Sequence, residues 1–66
     1  MERFNMTMHK YLKEVGVTSQ NAIEHAVREE NLTGKGMLKV KIVLTGDGTN
    51  LNHVVEGEID LSDAKF

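Results

Sequence analysis

Sixty-six residues with a formal charge of −2 and no cysteine, proline or tryptophan make one small domain, 1–66, with no room for a second. Without cysteine there are no disulfide staples, thiolate metal sites or thiol nucleophiles, and the slightly acidic balance gives no electrostatic reason to bind nucleic acid or another acidic polymer. No apolar run approaches the roughly 18 residues of a membrane span, and MERFNMTMHKYLKEV lacks the apolar stretch of a secretory signal, so a cytoplasmic, reducing setting with no membrane partner is expected.

Along the chain, the first expected element is a helix over about 5–15. Phe4, Met8, Tyr11, Leu12 and Val15 recur at spacings of three and four, and Lys10, Lys13 and Glu14 fall opposite. Gly16 is then expected to end it at C′, where glycine takes the left-handed conformation without penalty, with Val17 at C″ against Leu12. Thr18 or Ser19 is expected to cap a second helix, whose apolar side is Ala22, Ile23, Ala26 and Val27 and whose wet side carries Gln20, Glu24, His25 and Arg28. Asn31, Gly34 and Gly36 end that helix, and Leu32 folds back onto the core. A link of two or three residues requires the two helices to lie side by side or at a steep angle.

The C-terminal half reads as a hairpin of strands 38–45 and 51–61. Leu38, Val40, Ile42 and Leu44 alternate with Lys39, Lys41, Val43 and Thr45. Leu51, His53, Val55, Ile59 and Leu61 alternate with Asn52, Val54, Glu56, Glu58 and Asp60. Period-two alternation gives one dry face and one wet face. Asp47-Gly48 favours a type I′ turn, which pairs Gly46 with Thr49 and sets Lys39 opposite Glu56. A two-residue slip keeps the same dry face but pairs Lys39 with Glu58 and Lys41 with Glu56, which suits the charges better. Turn geometry is the stronger of the two signals, because an exposed ion pair is worth less than about 1 kcal/mol.

A lone hairpin is at best marginal in water, and MLKVKIVLT offers an edge with few charges and no proline. A chain this small without staples gains burial mainly by associating. A homodimer is therefore expected, either through hairpins joined into a four-stranded sheet or through a core shared between dry faces and helices.

Several patterns resemble sites, and each has a plainer explanation. Residues 10–29 superficially match a helix-turn-helix, but Leu12 is too large for its position, Ala22 stands where a larger apolar residue belongs, and the second helix offers only Arg28 as a fixed positive charge. Neither His9 nor His25 has a second histidine four residues away to form a zinc pair. His53 is expected to point inward among Val55, Ile42 and Leu44, where a polar ring needs a partner. Glu56, Glu58 and Asp60 line one strand face and resemble a cation or acid–base site, yet such rows are commonly solvated. Gly57 on the dry side suggests a bulge or the close approach of a helix. Gly46-Asp47-Gly48-Thr49-Asn50 has a turn's composition without the acids of a calcium loop or the lysine of a phosphate loop. Spacing alone cannot bring Ser19, His25 and Asp47 together. No catalytic, cofactor-binding or metal-binding residue is assigned.

Taken as a set, Phe4-Asn5-Met6, Leu12-Lys13-Glu14-Val15-Gly16-Val17-Thr18-Ser19-Gln20, Ile23-Glu24, Ala26-Val27-Arg28-Glu29 and His53-Val54-Val55-Glu56-Gly57-Glu58-Ile59 resemble a family of short uncharacterised bacterial proteins. The resemblance covers nearly the whole chain and implies a bacterial source and an αα-then-ββ order. It brings no functional residues, since that family has no assigned activity. The expected fold is α+β, with two N-terminal helices on one face of a C-terminal antiparallel hairpin. The expected function is a non-enzymatic homodimeric interaction module with an unidentified protein partner; the alternative is a nucleic-acid-binding module using 10–29.

Overall fold

A computed structural model describes residues 1–65. It contains one helix, α1 (Glu2–Glu29), followed by two strands, β1 (Met37–Thr45) and β2 (Asn52–Asp60), that pair antiparallel as a two-stranded sheet. The chain is thus α+β with a single helix where the spacing predicted two. It divides into two compact units, Met1–Leu32 and the residues from Thr33 onward.

In the first unit, α1 runs 28 residues without a break, about 42 Å at 1.5 Å per residue. Gly16 is an ordinary helical residue and not a C′ terminator. Thr18 caps nothing: its Oγ1 donates 2.7 Å back to the Glu14 carbonyl, one turn earlier. Helix continues through Gly-Val-Thr because a glycine in mid-helix costs only about 1 kcal/mol. Stopping and restarting would leave up to eight further backbone groups without intrahelical partners and require a second nucleation. No proline forces the break.

The helix ends where the asparagine was expected to end it. Asn31 takes φ +59°, a conformation asparagine tolerates better than most residues. Its N–H donates to the Arg28 carbonyl at 3.3 Å, and the Leu32 N–H donates to the Val27 carbonyl at 2.9 Å. These two bonds form a complete Schellman motif, which directs Leu32 back toward Val27. Val27 is only 2% exposed and Leu32 is half-buried. Glu2 in the first turn and Arg28 in the last complement the helix dipole.

In the second unit the hairpin is confirmed and its favoured register is overturned. Lys39 stands opposite Glu58 and Lys41 opposite Glu56, two residues from the turn-driven alignment. Between the paired ends Thr45 and Asn52 lies a loop, 46–51. The Thr49 N–H still closes a turn onto the Gly46 carbonyl at 3.1 Å, but only Gly48, at φ +74°, is left-handed within it. A type I′ turn needs both central residues at positive φ, so this is a type II arrangement, whose twist mismatches that of paired strands. The ladder therefore cannot begin at Gly46 and Thr49. Thr49 Oγ1 donates to the Gly46 carbonyl at 2.7 Å and accepts from the Leu51 N–H at 3.1 Å, which binds the extra residues into the loop.

Pairing runs unbroken past Gly57, which faces Val40, so the bulge, one of the two roles expected of this glycine, is absent. At the open end of the hairpin, the Leu61 N–H donates to the Gly36 carbonyl at 2.7 Å and the Leu61 carbonyl accepts from the Gly34 N–H at 2.8 Å. Both backbone groups of Leu61 are thereby satisfied, and the residue is 4% exposed. Val27 and Leu61 are the buried apolar residues of the described chain.

Candidate functional site

Each candidate from the sequence occupies a definite place. In the carboxylate row on β2, the register sets Lys39 and Lys41 directly across from Glu58 and Glu56. With Val40 and Gly57, these four line a shallow depression of about 440 Å³. Two ammonium groups and two carboxylates cancel there, so the depression attracts neither an anion nor a cation by net charge. A Cβ on Gly57 would lie 4.0 Å from Val40 Cγ2, an ordinary contact, so the glycine is not imposed by crowding.

Asp60 ends the row in a different way. Its Oδ1 accepts from the Ser62 N–H at 2.8 Å, closing an Asx-type turn as the strand ends. The bond to the Ser62 backbone, then that to its side chain, lowers the Asp60 pKa below the usual aspartate range. This carboxylate is committed to a turn.

His9 and His25 lie sixteen residues apart on one helix, about 24 Å along its axis. His53 pairs with Leu44 on the apolar side of the hairpin, as parity required, but it is exposed and needs no buried partner. Among the described residues, no group of three or more His, Asp or Glu side chains converges to hold a metal ion. Asp47 belongs to the hairpin loop and Ser19 and His25 to α1. The helix-turn-helix reading of 10–29 is overturned: the whole segment lies inside one continuous helix, so there is no turn to set a recognition helix at an angle.

The apolar surfaces are the features with consequences. On α1, Phe4 is 55% exposed and Tyr11 51%, with Leu12 and Met8 also exposed. On the hairpin, Ile42 and Val55 face one another and so do Val43 and Val54; all four are about half exposed. The Ile42–Val55 pair lies on the face expected to be dry. The Val43–Val54 pair lies on the face expected to be wet, so both faces are apolar near the loop. Alternation alone missed this, although the runs Ile42-Val43-Leu44 and Val54-Val55 break the period and were its visible sign.

No helix of the described chain is long and apolar enough to cross a membrane. Residues 1–62 match the model of a family of unknown function, DUF6494. Comparison with curated proteins and with solved structures gives no match.

Proposed function

We propose that this chain, which belongs to the DUF6494 family of unknown function, works by binding and not by catalysis, as a homodimeric interaction module. One observation carries the reading: large apolar side chains remain exposed on α1 and on both faces of the hairpin, while only Val27 and Leu61 are buried apolar residues among those described. Burying two such side chains contributes about 1.5–3 kcal/mol each, far less than ordering a chain of this length costs. A second copy is the simplest source of the missing burial, since any patch that is apolar on one molecule is apolar on its twin. A binding role also fits the hairpin chemistry, in which Glu56 and Glu58 stand across from Lys41 and Lys39. The bacterial and cytoplasmic setting belongs to the same reading and rests on the sequence.

Light scattering coupled to size-exclusion chromatography at micromolar concentration tests the dimer. A mass twice the 7.4 kDa of the chain supports it. A monomer that melts cooperatively and independently of concentration removes it.

A further inference from the structure

We propose that the dimer is an antiparallel pair of α1 helices, related by a two-fold axis beside Val15, so that the bulky half of each apolar stripe lies on the small-residue half of its twin. This rests on the dimer reading above and adds the surface, the orientation and the register. The stripe is continuous. Positions 4, 8, 12, 15, 19, 23 and 26 follow a 4-4-3 spacing twice over, an 11-residue period close to the natural pitch of a straight helix. It passes through the Gly16–Thr18 segment without a change of phase because α1 itself does not break there.

The two halves of the stripe differ in size. Phe4, Met8, Tyr11 and Leu12 stand at its N-terminal end, all exposed, and Ser19, Ala22, Ile23 and Ala26 at its C-terminal end, exposed or half-buried, with Ile23 the one large side chain of that half. With the axis at Val15, Phe4 comes level with Ala26, Met8 with Ala22 and Tyr11 with Ser19. Leu12 and Ile23 come level with Thr18 and Thr7, so each large side chain meets a smaller one, which lets the backbones approach evenly. A parallel pair would set ring on ring at one end and leave a gap between alanines at the other.

Charge favours the same orientation. Residues 2–14 carry Arg3, Lys10 and Lys13 against Glu2 and Glu14, and residues 16–30 carry Arg28 against Glu24, Glu29 and Glu30. The first half is net positive and the second net negative. Antiparallel pairing brings Arg3 level with Val27, within a turn of Glu24 and Glu30, and opposes the two helix dipoles. Parallel pairing sets Glu29 and Glu30 against their own copies.

The test reads orientation and surface separately from dimerisation. The chain has no cysteine, so Glu2→Cys, at an exposed position outside the stripe, accepts a single spin label. Pulsed electron resonance on the full-length dimer should give an inter-label distance of about 39 Å, the axial offset of residues 2 and 28. A distance of about 22 Å, from N-terminal halves pairing only with each other, overturns the register. A distance of about 10–20 Å, set by helix spacing in a parallel pair, overturns the orientation. Tyr11→Glu should weaken the dimer by about 100-fold or more, because it places an unpaired charge in the contact, with the helical circular dichroism retained. Val54→Lys on the hairpin should leave the dissociation constant unchanged. If Val54→Lys abolishes the dimer and Tyr11→Glu does not, the dimer stands and this surface falls; a monomeric wild-type chain removes both. Should Tyr11→Glu fail to fold, the Glu2 distance still decides.

Discussion

Replacing Gly16 with alanine distinguishes an unbroken helix from a helical hairpin by the sign of its effect. In α1 the residue is interior, fourteen positions from the first residue of a 28-residue helix. A Cβ built on it meets nothing within 4 Å, so alanine introduces no clash. What changes is the backbone entropy of the unfolded chain and the intrinsic propensity, together about 0.5–1 kcal/mol in favour of alanine. For a domain of this size that corresponds to a rise in melting temperature of about 2–8 °C. Thermal melts followed by circular dichroism at 222 nm, with wild type and variant at one concentration, measure it; concentration must be matched because association shifts apparent stability. Were Gly16 instead the left-handed terminator of a short helix, alanine would cost about 1–2 kcal/mol and the melt would move down. A fall would therefore refute the continuous helix. Val17→Pro gives a second arm: inside a helix it removes a hydrogen bond and clashes with the preceding turn, costing about 3 kcal/mol or more, whereas a loop would tolerate it.

Other consequences follow from the caps, the register and the Asx turn. At φ +59°, Asn31→Ala should cost about 1 kcal/mol in a denaturant melt while Asn31→Gly is neutral or better; equal loss in both would mean that the side chain, not the backbone angle, matters there. Across the ladder, a double-mutant cycle with Lys39→Ala and Glu58→Ala should give a coupling of about 0.2–1 kcal/mol, and the same cycle with Glu56 in place of Glu58 should give less, since Glu56 faces Lys41; the reverse order would restore the turn-driven register. Because the Ser62 backbone N–H holds the Asp60 carboxylate charged, Asp60 should titrate by carbon-detected NMR below the usual aspartate range. A depressed folded pKa gives stability that is present above the unfolded value and lost as pH falls through the folded one. Asp60→Asn should therefore flatten the acid limb of the stability curve; an unchanged limb would mean the bond to Ser62 adds nothing.

Much of the chain was legible because its signals are local. Alternation from Leu38 to Leu44 and from His53 to Ile59 found both strands to within a residue or two, since a pleat imposes its period on the sequence directly. The helix stop at Asn31 was legible for the same reason: few side chains tolerate a left-handed backbone. The single helix is also encoded, in a stripe that keeps its phase from Phe4 through Ala26, but Gly16-Val17-Thr18 carries the competing local signal of a terminator and a cap. A cap motif is a weak preference of about 1 kcal/mol. It yields when the residues on both sides favour helix and share one face.

The sequence by itself determined the element types, the face each residue takes, and the absence of any thiol chemistry. Only the folded chain decided whether two helical segments join and which of two parity-equivalent registers the strands adopt. Both are choices between arrangements with nearly the same local preferences, and they turn on quantities that no short window contains: the cost of two extra helix ends in one case, the twist of a loop against the pairing of distant charges in the other.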